Sequence, residues 1–131
     1  MSALSISGKS CSIQYFLPCL EGPVSARLNA DTRKAISASH STLAQLLKTG
    51  KKIYGVTTGF GKLSKVAIDA NDLHKLQLNL VRSHATGVGK SLDLGITRLI
   101  LLLKLSTWAK GVSGVRFELV TLVRDLLNHD I

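Results

Sequence analysis

The sequence predicts a mainly α fold built as one domain. Apolar residues recur at helical spacing through most of the chain, and no proline follows Pro23 to interrupt a helix. Glycines separate these periodic stretches and mark where helices end. Apolar residues make up 45% of the 131 residues and charged residues 19%, which is a globular rather than a disordered composition.

The periodic stretches predict four helices, and polar residues predict where they begin. Asp31, Asp69 and Asp93 stand at or just before the start of the first three, where a carboxylate can cap a helix. Gly50 and Gly111 end the first and the third. The predicted helices lie near residues 31–48, 70–86, 93–110 and 115–128.

The N-terminal part is predicted to contain a small amount of β structure. Residues Leu4 to Ile13 alternate loosely between apolar and polar and include Gly8, which fits a short strand or a hairpin. The string from Leu20 to Pro23 has the composition of a turn.

Two of the predicted helices have faces that should be covered. In the second helix one continuous face is expected to line an interior; it consists of Leu73, Leu76, Gln77, Leu80 and His84. The centre of the third, Leu99 to Leu103, is apolar on all sides, as in a helix buried inside a larger bundle.

Composition and charge exclude several classes of function. The net charge of +9 would suit an anionic partner, but the positive residues form no dense run and aromatic residues make up only 5%. A fragment whose balancing acids lie elsewhere explains the charge as well, so no nucleic-acid partner is predicted. The four histidines share no metal-ligand spacing, so no metal is expected.

The sequence also indicates the compartment. Cys11 and Cys19 are too few for a disulfide scaffold and form no CxxC pair. The first residues lack the basic-then-apolar order of a signal peptide, and the longest apolar run, Leu99 to Leu103, is far too short to span a membrane. A cytoplasmic protein without membrane contact is therefore expected.

The most specific signals are a glycine-rich loop and the helix after it. Tyr54 to Gly61 reads YGVTTGFG, and Leu76 to Gly89 reads LQLNLVRSHATGVG. Both strings resemble signatures of the aromatic amino acid ammonia-lyases, the family that contains the histidine, phenylalanine and tyrosine ammonia-lyases. The segment from Arg98 to Leu127 is also similar, so the resemblance covers nearly the whole chain. It implies that residues 1–131 form the helical N-terminal part of the ammonia-lyase fold.

This resemblance implies elimination of ammonia from an aromatic amino acid. The family's electrophile is methylidene-imidazolone, a ring formed from an internal Ala-Ser-Gly. Since the proton removed lies on a weakly acidic β-carbon, a positioned base must also act. The tyrosine of the loop motif is that base in the family, which assigns the role to Tyr54. The implied active-site loop around it comprises Gly55, Thr57, Thr58, Gly59 and Gly61.

Ser83 and His84 carry the implied substrate specificity. The pair resembles the histidine-specific branch, in which the histidine contacts the substrate imidazole. Phenylalanine-specific members tend to have an apolar pair there, and tyrosine-specific members can use a histidine to bind the phenol. Histidine is therefore the favoured substrate, with tyrosine or phenylalanine as alternatives. Thr57 departs from the asparagine that histidine-specific members often have at this position. For His84 the alternative is a histidine that is simply packed in the core.

The chain contains no Ala-Ser-Gly, and it ends where the family would lead into that precursor. The chain alone is therefore expected to be inactive, as a fragment of a lyase that is homotetrameric in the family. An alternative is a non-enzymatic, stand-alone module that binds a full-length relative.

Overall fold

The computed structural model describes residues 2–131, except the side chains of Leu63 and Ala70. The chain forms two compact units. The first combines the residues up to Leu43 with Ser91–Ile131, and the second is Ala44–Lys90.

The mainly α prediction is confirmed, and the four predicted helices are present with shifted ends. Helix α1, Pro18–Glu21, is short and precedes them. The other helices are α2 (Ala30–Lys48), α3 (Leu73–His84), α4 (Leu94–Ala109) and α5 (Phe117–Asn128). A 3-10 turn, Ala70–Asp72, occupies the start of the helix predicted from residue 70.

The predicted helix caps are right in one case, shifted in another and wrong in the third. Asp93 caps α4, since its Oδ1 accepts the Gly95 N–H at 2.8 Å. Asp69 caps the 3-10 turn before α3. Asp31 does not cap α2, because that helix begins one residue earlier. The carboxamide of Asn29 accepts the Thr32 N–H at 2.8 Å instead, and Asp31 lies inside the first turn.

The strand near the N-terminus is confirmed as β1, Ser2–Ile6, but the hairpin alternative is wrong. Strand β1 pairs in parallel with β2, Val24–Leu28, from Ser2 opposite Val24 to Ile6 opposite Leu28. Parallel strands need a crossover connection, which a tight turn cannot provide. Here the crossover contains α1, so Leu20 and Glu21 of the predicted turn belong to a helix.

The core of the first unit lies between the sheet and helices α4 and α5. Its fully buried side chains include Ile6, Val24, Ile36, Leu102, Leu105, Val120 and Leu127. Asn128 at the end of α5 closes this packing: its Oδ1 accepts the Ala26 N–H at 2.7 Å, and its Nδ2 donates to the Ala26 carbonyl at 3.2 Å. These bonds satisfy backbone groups that a free strand edge would leave open.

Helix α4 is buried on one face only within this chain. Leu102, Leu105 and Trp108 lie in the core, whereas Ile100 is 50% exposed and Leu103 is 40% exposed. The expectation that Leu99 to Leu103 is covered on all sides is therefore not met by residues 2–131. That other helices cover this part of α4 in a larger bundle stays a prediction.

An ion pair fastens the last residues to α4. The Arg98 Nε and Nη2 atoms donate to the two carboxylate oxygens of Asp130 at 2.6 and 2.7 Å. Arg98 also donates to the Cys19 carbonyl at 3.5 Å. The hydrogen bonds from the guanidinium lower the pKa of the Asp130 carboxyl below its ordinary value.

This ion pair should make stability depend on pH. A carboxyl whose pKa is lower in the folded state stabilises the fold above its unfolded pKa of about 3.9 and loses that contribution as the pH falls through the folded pKa. Asp130→Asn should therefore lower the urea midpoint at neutral pH, and the difference from the wild type should shrink below about pH 4. The matched control is Asp125→Asn, which removes a partly exposed pair between sequence neighbours, Arg124 and Asp125, and should change little. A midpoint difference that is the same at both pH values would contradict this role.

Candidate active site

The glycine-rich loop is a tight turn held by its own backbone. The Val56 and Thr57 N–H groups both donate to the Ile53 carbonyl, at 3.0 and 2.9 Å. The Thr57 hydroxyl accepts the Ile53 N–H at 2.7 Å. The Thr57 side chain thus closes the turn by its hydrogen bond to the Ile53 N–H.

Thr58 fixes the inner side of the same loop. It is 1% exposed, and its Oγ1 accepts the Gly55 N–H at 3.3 Å and donates to the Gly59 carbonyl at 3.1 Å. Gly59 is buried beside it. Thr58 and Gly59 therefore shape the loop from within, while Gly61 continues it with a φ of +53°.

Tyr54 projects from this loop towards solvent. Its side chain is 66% exposed and packs edge to face against Phe60, with ring centroids 5.6 Å apart. Gly55 makes that contact possible: its φ is +69°, and a Cβ there would lie 2.9 Å from the Phe60 ring. Any other residue at position 55 would be strained and would displace Phe60.

Helix α3 reaches the loop through Gln77. Its Nε2 donates to the Gly55 carbonyl at 3.2 Å. Gln77 and Phe60 were not among the predicted site residues. The sequence pattern placed Gln77 on the face of α3 with His84, but the contact with Gly55 depends on how the loop folds back.

Ser83 and His84 lie together at the end of α3. The His84 Nδ1 is 2.8 Å from the Leu80 carbonyl and 3.1 Å from the Ser83 hydroxyl. Since a carbonyl only accepts, Nδ1 carries the proton in this contact. In the neutral ring Nε2 is then a hydrogen-bond acceptor.

The face of α3 is less covered than the sequence predicts. Leu73, Leu76 and Leu80 are half-buried, and Ser83 and His84 are exposed. Within residues 2–131 this face therefore lines no interior, and a substrate pocket there stays a prediction. A groove of about 700 Å³ in Ala44–Lys90 is lined by Thr57 and, at the start of this face, by Leu73, but by neither Tyr54 nor His84.

The described residues also bear on metals and membranes. Among residues 2–131 no group of three or more His, Cys, Asp or Glu side chains is placed to hold a metal ion. In the same range, every helix is too short or too polar to cross a membrane. The candidate site therefore consists of the Tyr54 phenol on an exposed loop and the His84 imidazole. The Leu80 carbonyl binds the Nδ1 of His84, which leaves Nε2 as the acceptor.

Comparison with known proteins gives a consistent result. A family model described as aromatic amino acid lyase matches residues 12–131. Histidine ammonia-lyase of Myxococcus xanthus is 37% identical over 126 residues, which cover 96% of this chain and 25% of that protein. Histidine ammonia-lyase of Rattus norvegicus is 35% identical over 125 residues, covering 95% of this chain and 19% of that protein. The chain thus spans a quarter or less of the length of these two relatives.

Solved structures share the fold. The ergothioneine-degrading enzyme of Treponema denticola superposes with a TM-score of 0.89 at 27% identity, covering 97% of this chain and 26% of that one. Tyrosine aminomutase of Streptomyces globisporus gives 0.90 at 29%, covering 98% and 24%. Histidine ammonia-lyase of Trypanosoma cruzi gives 0.81 at 27%, covering 96% and 25%.

Proposed function

The chain belongs to the aromatic amino acid lyase family, and from that premise we propose that it supplies part of the active site of a histidine ammonia-lyase. The reaction is elimination of ammonia from L-histidine to give trans-urocanate. The observation that carries the proposal is His84, whose Nδ1 is engaged by the Leu80 carbonyl at 2.8 Å.

Tyr54 is the proposed base. A general base must come within hydrogen-bond reach of the proton that it removes, so it has to be presented rather than packed away. The loop does this: Thr57 and Thr58 fix its backbone, and the phenol stays 66% exposed. Phe60 supports the ring along one edge, which restricts its orientation.

His84 is the proposed contact with the ring of the substrate, with Ser83 as its neighbour. With the proton on Nδ1, the Nε2 atom accepts a hydrogen bond, and the N–H of a substrate imidazole can donate one. A phenyl ring offers no such donor. A phenylalanine bound against His84 would cover this nitrogen and leave it unpaired, at a cost of about 1–3 kcal/mol.

Tyrosine is the alternative substrate. Its phenol O–H also donates to an imidazole nitrogen, and one similar solved structure is a tyrosine aminomutase. Thr57 stands where histidine-specific members often have asparagine, which weakens the choice of histidine over tyrosine. The identity of 35–37% to the two histidine ammonia-lyases named above favours histidine.

The electrophile must come from outside these residues. The sequence contains no Ala-Ser-Gly, so no part of this chain fits the role of methylidene-imidazolone precursor. The proposed enzyme is a cytoplasmic homo-oligomer, a tetramer as in the family, in which the remaining protein provides that group.

A binding module without activity is the second candidate function. It is favoured by the exposed apolar face of α4, where Ile96, Ile100 and Leu103 are 43%, 50% and 40% exposed. The occupant would be a full-length relative. Size-exclusion chromatography of the chain with such an enzyme distinguishes the two: a stable complex without turnover supports the module.

The substrate assignment is tested in a full-length lyase that carries these 131 residues. The double change Ser83→Phe with His84→Leu should shift the preference from histidine towards phenylalanine. The lost pairing of about 1–3 kcal/mol corresponds to roughly a 5- to 150-fold change in the ratio of kcat/KM values. A ratio that stays the same would show His84 to be a structural residue and would remove the main support for histidine.

A further inference from the structure

We propose that Gln77 is a positioning residue that ties the Tyr54 loop to α3 and so sets the place of Tyr54 relative to His84. Its hydrogen bond to the Gly55 carbonyl stands on the structure alone. Its effect on turnover rests on the proposed function of Tyr54.

The backbone on both sides of Gly55 is held, by two different side chains. Thr58 accepts the Gly55 N–H at 3.3 Å, and Gln77 donates to the Gly55 carbonyl at 3.2 Å. The Thr58 side chain bonds only within the loop, and the Thr58 backbone pairs with Ala67, which lies in an irregular segment. The contact made by Gln77 joins the loop to a regular helix.

The loop needs such an attachment at this point. Gly55 has a φ of +69°, and glycine has more backbone freedom than other residues. Tyr54 is 66% exposed, so burial does little to hold it. Gln77 is itself exposed, and water could satisfy its amide. Packing therefore does not require the hydrogen bond from Gln77 to Gly55. Its effect is to fix the position of the loop.

Helix α3 then acts as a spacer between the two proposed functional residues. Gln77 and His84 lie on one face, seven positions apart, which is about 10 Å along a helix that rises 1.5 Å per residue. At one end of this spacer Gln77 binds the carbonyl of Gly55, the residue after Tyr54. At the other end lies His84, the proposed contact with the substrate ring. A rigid helix thus sets the distance between the proposed base and the residue that contacts the substrate ring.

The first test uses the 131-residue chain and the NMR shifts of the Tyr54 and Phe60 rings. Gln77→Glu is nearly isosteric and retains helix propensity, but an ionised carboxylate cannot donate. At neutral pH the ring shifts of Tyr54 and Phe60 should move towards values that are averaged over several loop conformations. They should return as the carboxyl protonates, at about pH 4.3, because a carboxylic acid regains a donor.

The matched control is Gln45→Glu, the same change at an exposed position of α2 in the same unit. Its ring shifts should equal those of the wild type at every pH. Gln77→Leu should show averaged shifts that do not recover. Wild-type shifts for Gln77→Glu at neutral pH, or a recovery shared by Gln77→Leu, would overturn the proposal.

The second test measures turnover in a full-length lyase that carries this chain. Gln77→Leu should lower kcat about 10- to 100-fold, the cost of a small misplacement of a catalytic group, with KM little changed and Gln45→Leu without effect. If Tyr54→Phe abolishes turnover while Gln77→Leu leaves kcat intact, the positioning role is wrong and Tyr54 remains the base. If Tyr54→Phe has no effect but the ring shifts respond, the attachment is right and the proposed function is wrong.

Discussion

The purified 131-residue chain should give no detectable trans-urocanate from histidine. Enzymes accelerate reactions by at least about a million-fold, and this reaction needs both a base and an electrophile. The chain holds the proposed base but no Ala-Ser-Gly from which the electrophile could form.

The measurement is urocanate absorbance after long incubation, with a full-length histidine ammonia-lyase as the positive control. Coumarate formation from tyrosine is followed in parallel. Turnover of either substrate by the chain alone would show that the chemistry needs nothing beyond these residues, and the proposed division of the active site would be wrong.

Tyr54→Phe should reduce turnover of every substrate in a full-length lyase that carries this chain. A positioned base contributes roughly 100- to 10,000-fold, so kcat should fall by that order. The change keeps the ring and its edge contact with Phe60, and it removes only an exposed hydroxyl. Stability should therefore be almost unaffected.

The control for Tyr54→Phe is the other tyrosine of the chain. The Tyr15 hydroxyl accepts the Ser5 N–H at 2.7 Å and donates to the Ser5 carbonyl at 3.0 Å, so its role is structural. Tyr15→Phe should lower the melting temperature and leave kcat unchanged. Full activity of Tyr54→Phe would refute its assignment as base.

The helices could be predicted because their signals are local. Apolar spacing and the absence of proline located α2, α3, α4 and α5 to within a few residues. The parallel pairing of β1 with β2 was not predictable in this way. It brings together segments that are separated by a crossover, and local alternation indicates a strand without indicating its partner.

The sequence motif indicates which residues are candidates for the site, but it does not indicate how they are arranged. The loop motif pointed to Tyr54 and its glycines, and the structure adds why Gly55 must be glycine. The hydrogen bond from Gln77 joins positions 22 residues apart. No sequence period relates them, because the contact exists only once the loop has folded onto α3.

The face of α3 shows a further limit. Helical spacing indicates which residues share a side, but it does not say which other residues cover that side. His84 is exposed within this chain although it shares a face with three leucines. A pocket on this face stays a prediction for the proposed full-length lyase.

The most direct measurement is a crystal structure of a full-length lyase that carries this chain, with trans-urocanate bound. The Tyr54 hydroxyl should lie within about 3.5 Å of the ligand carbon that corresponds to the β-carbon of histidine. The His84 Nε2 should accept a hydrogen bond from the ligand imidazole. A ligand bound away from both side chains, with Tyr54 still turned to solvent, would contradict the assignment of this loop and helix to the active site.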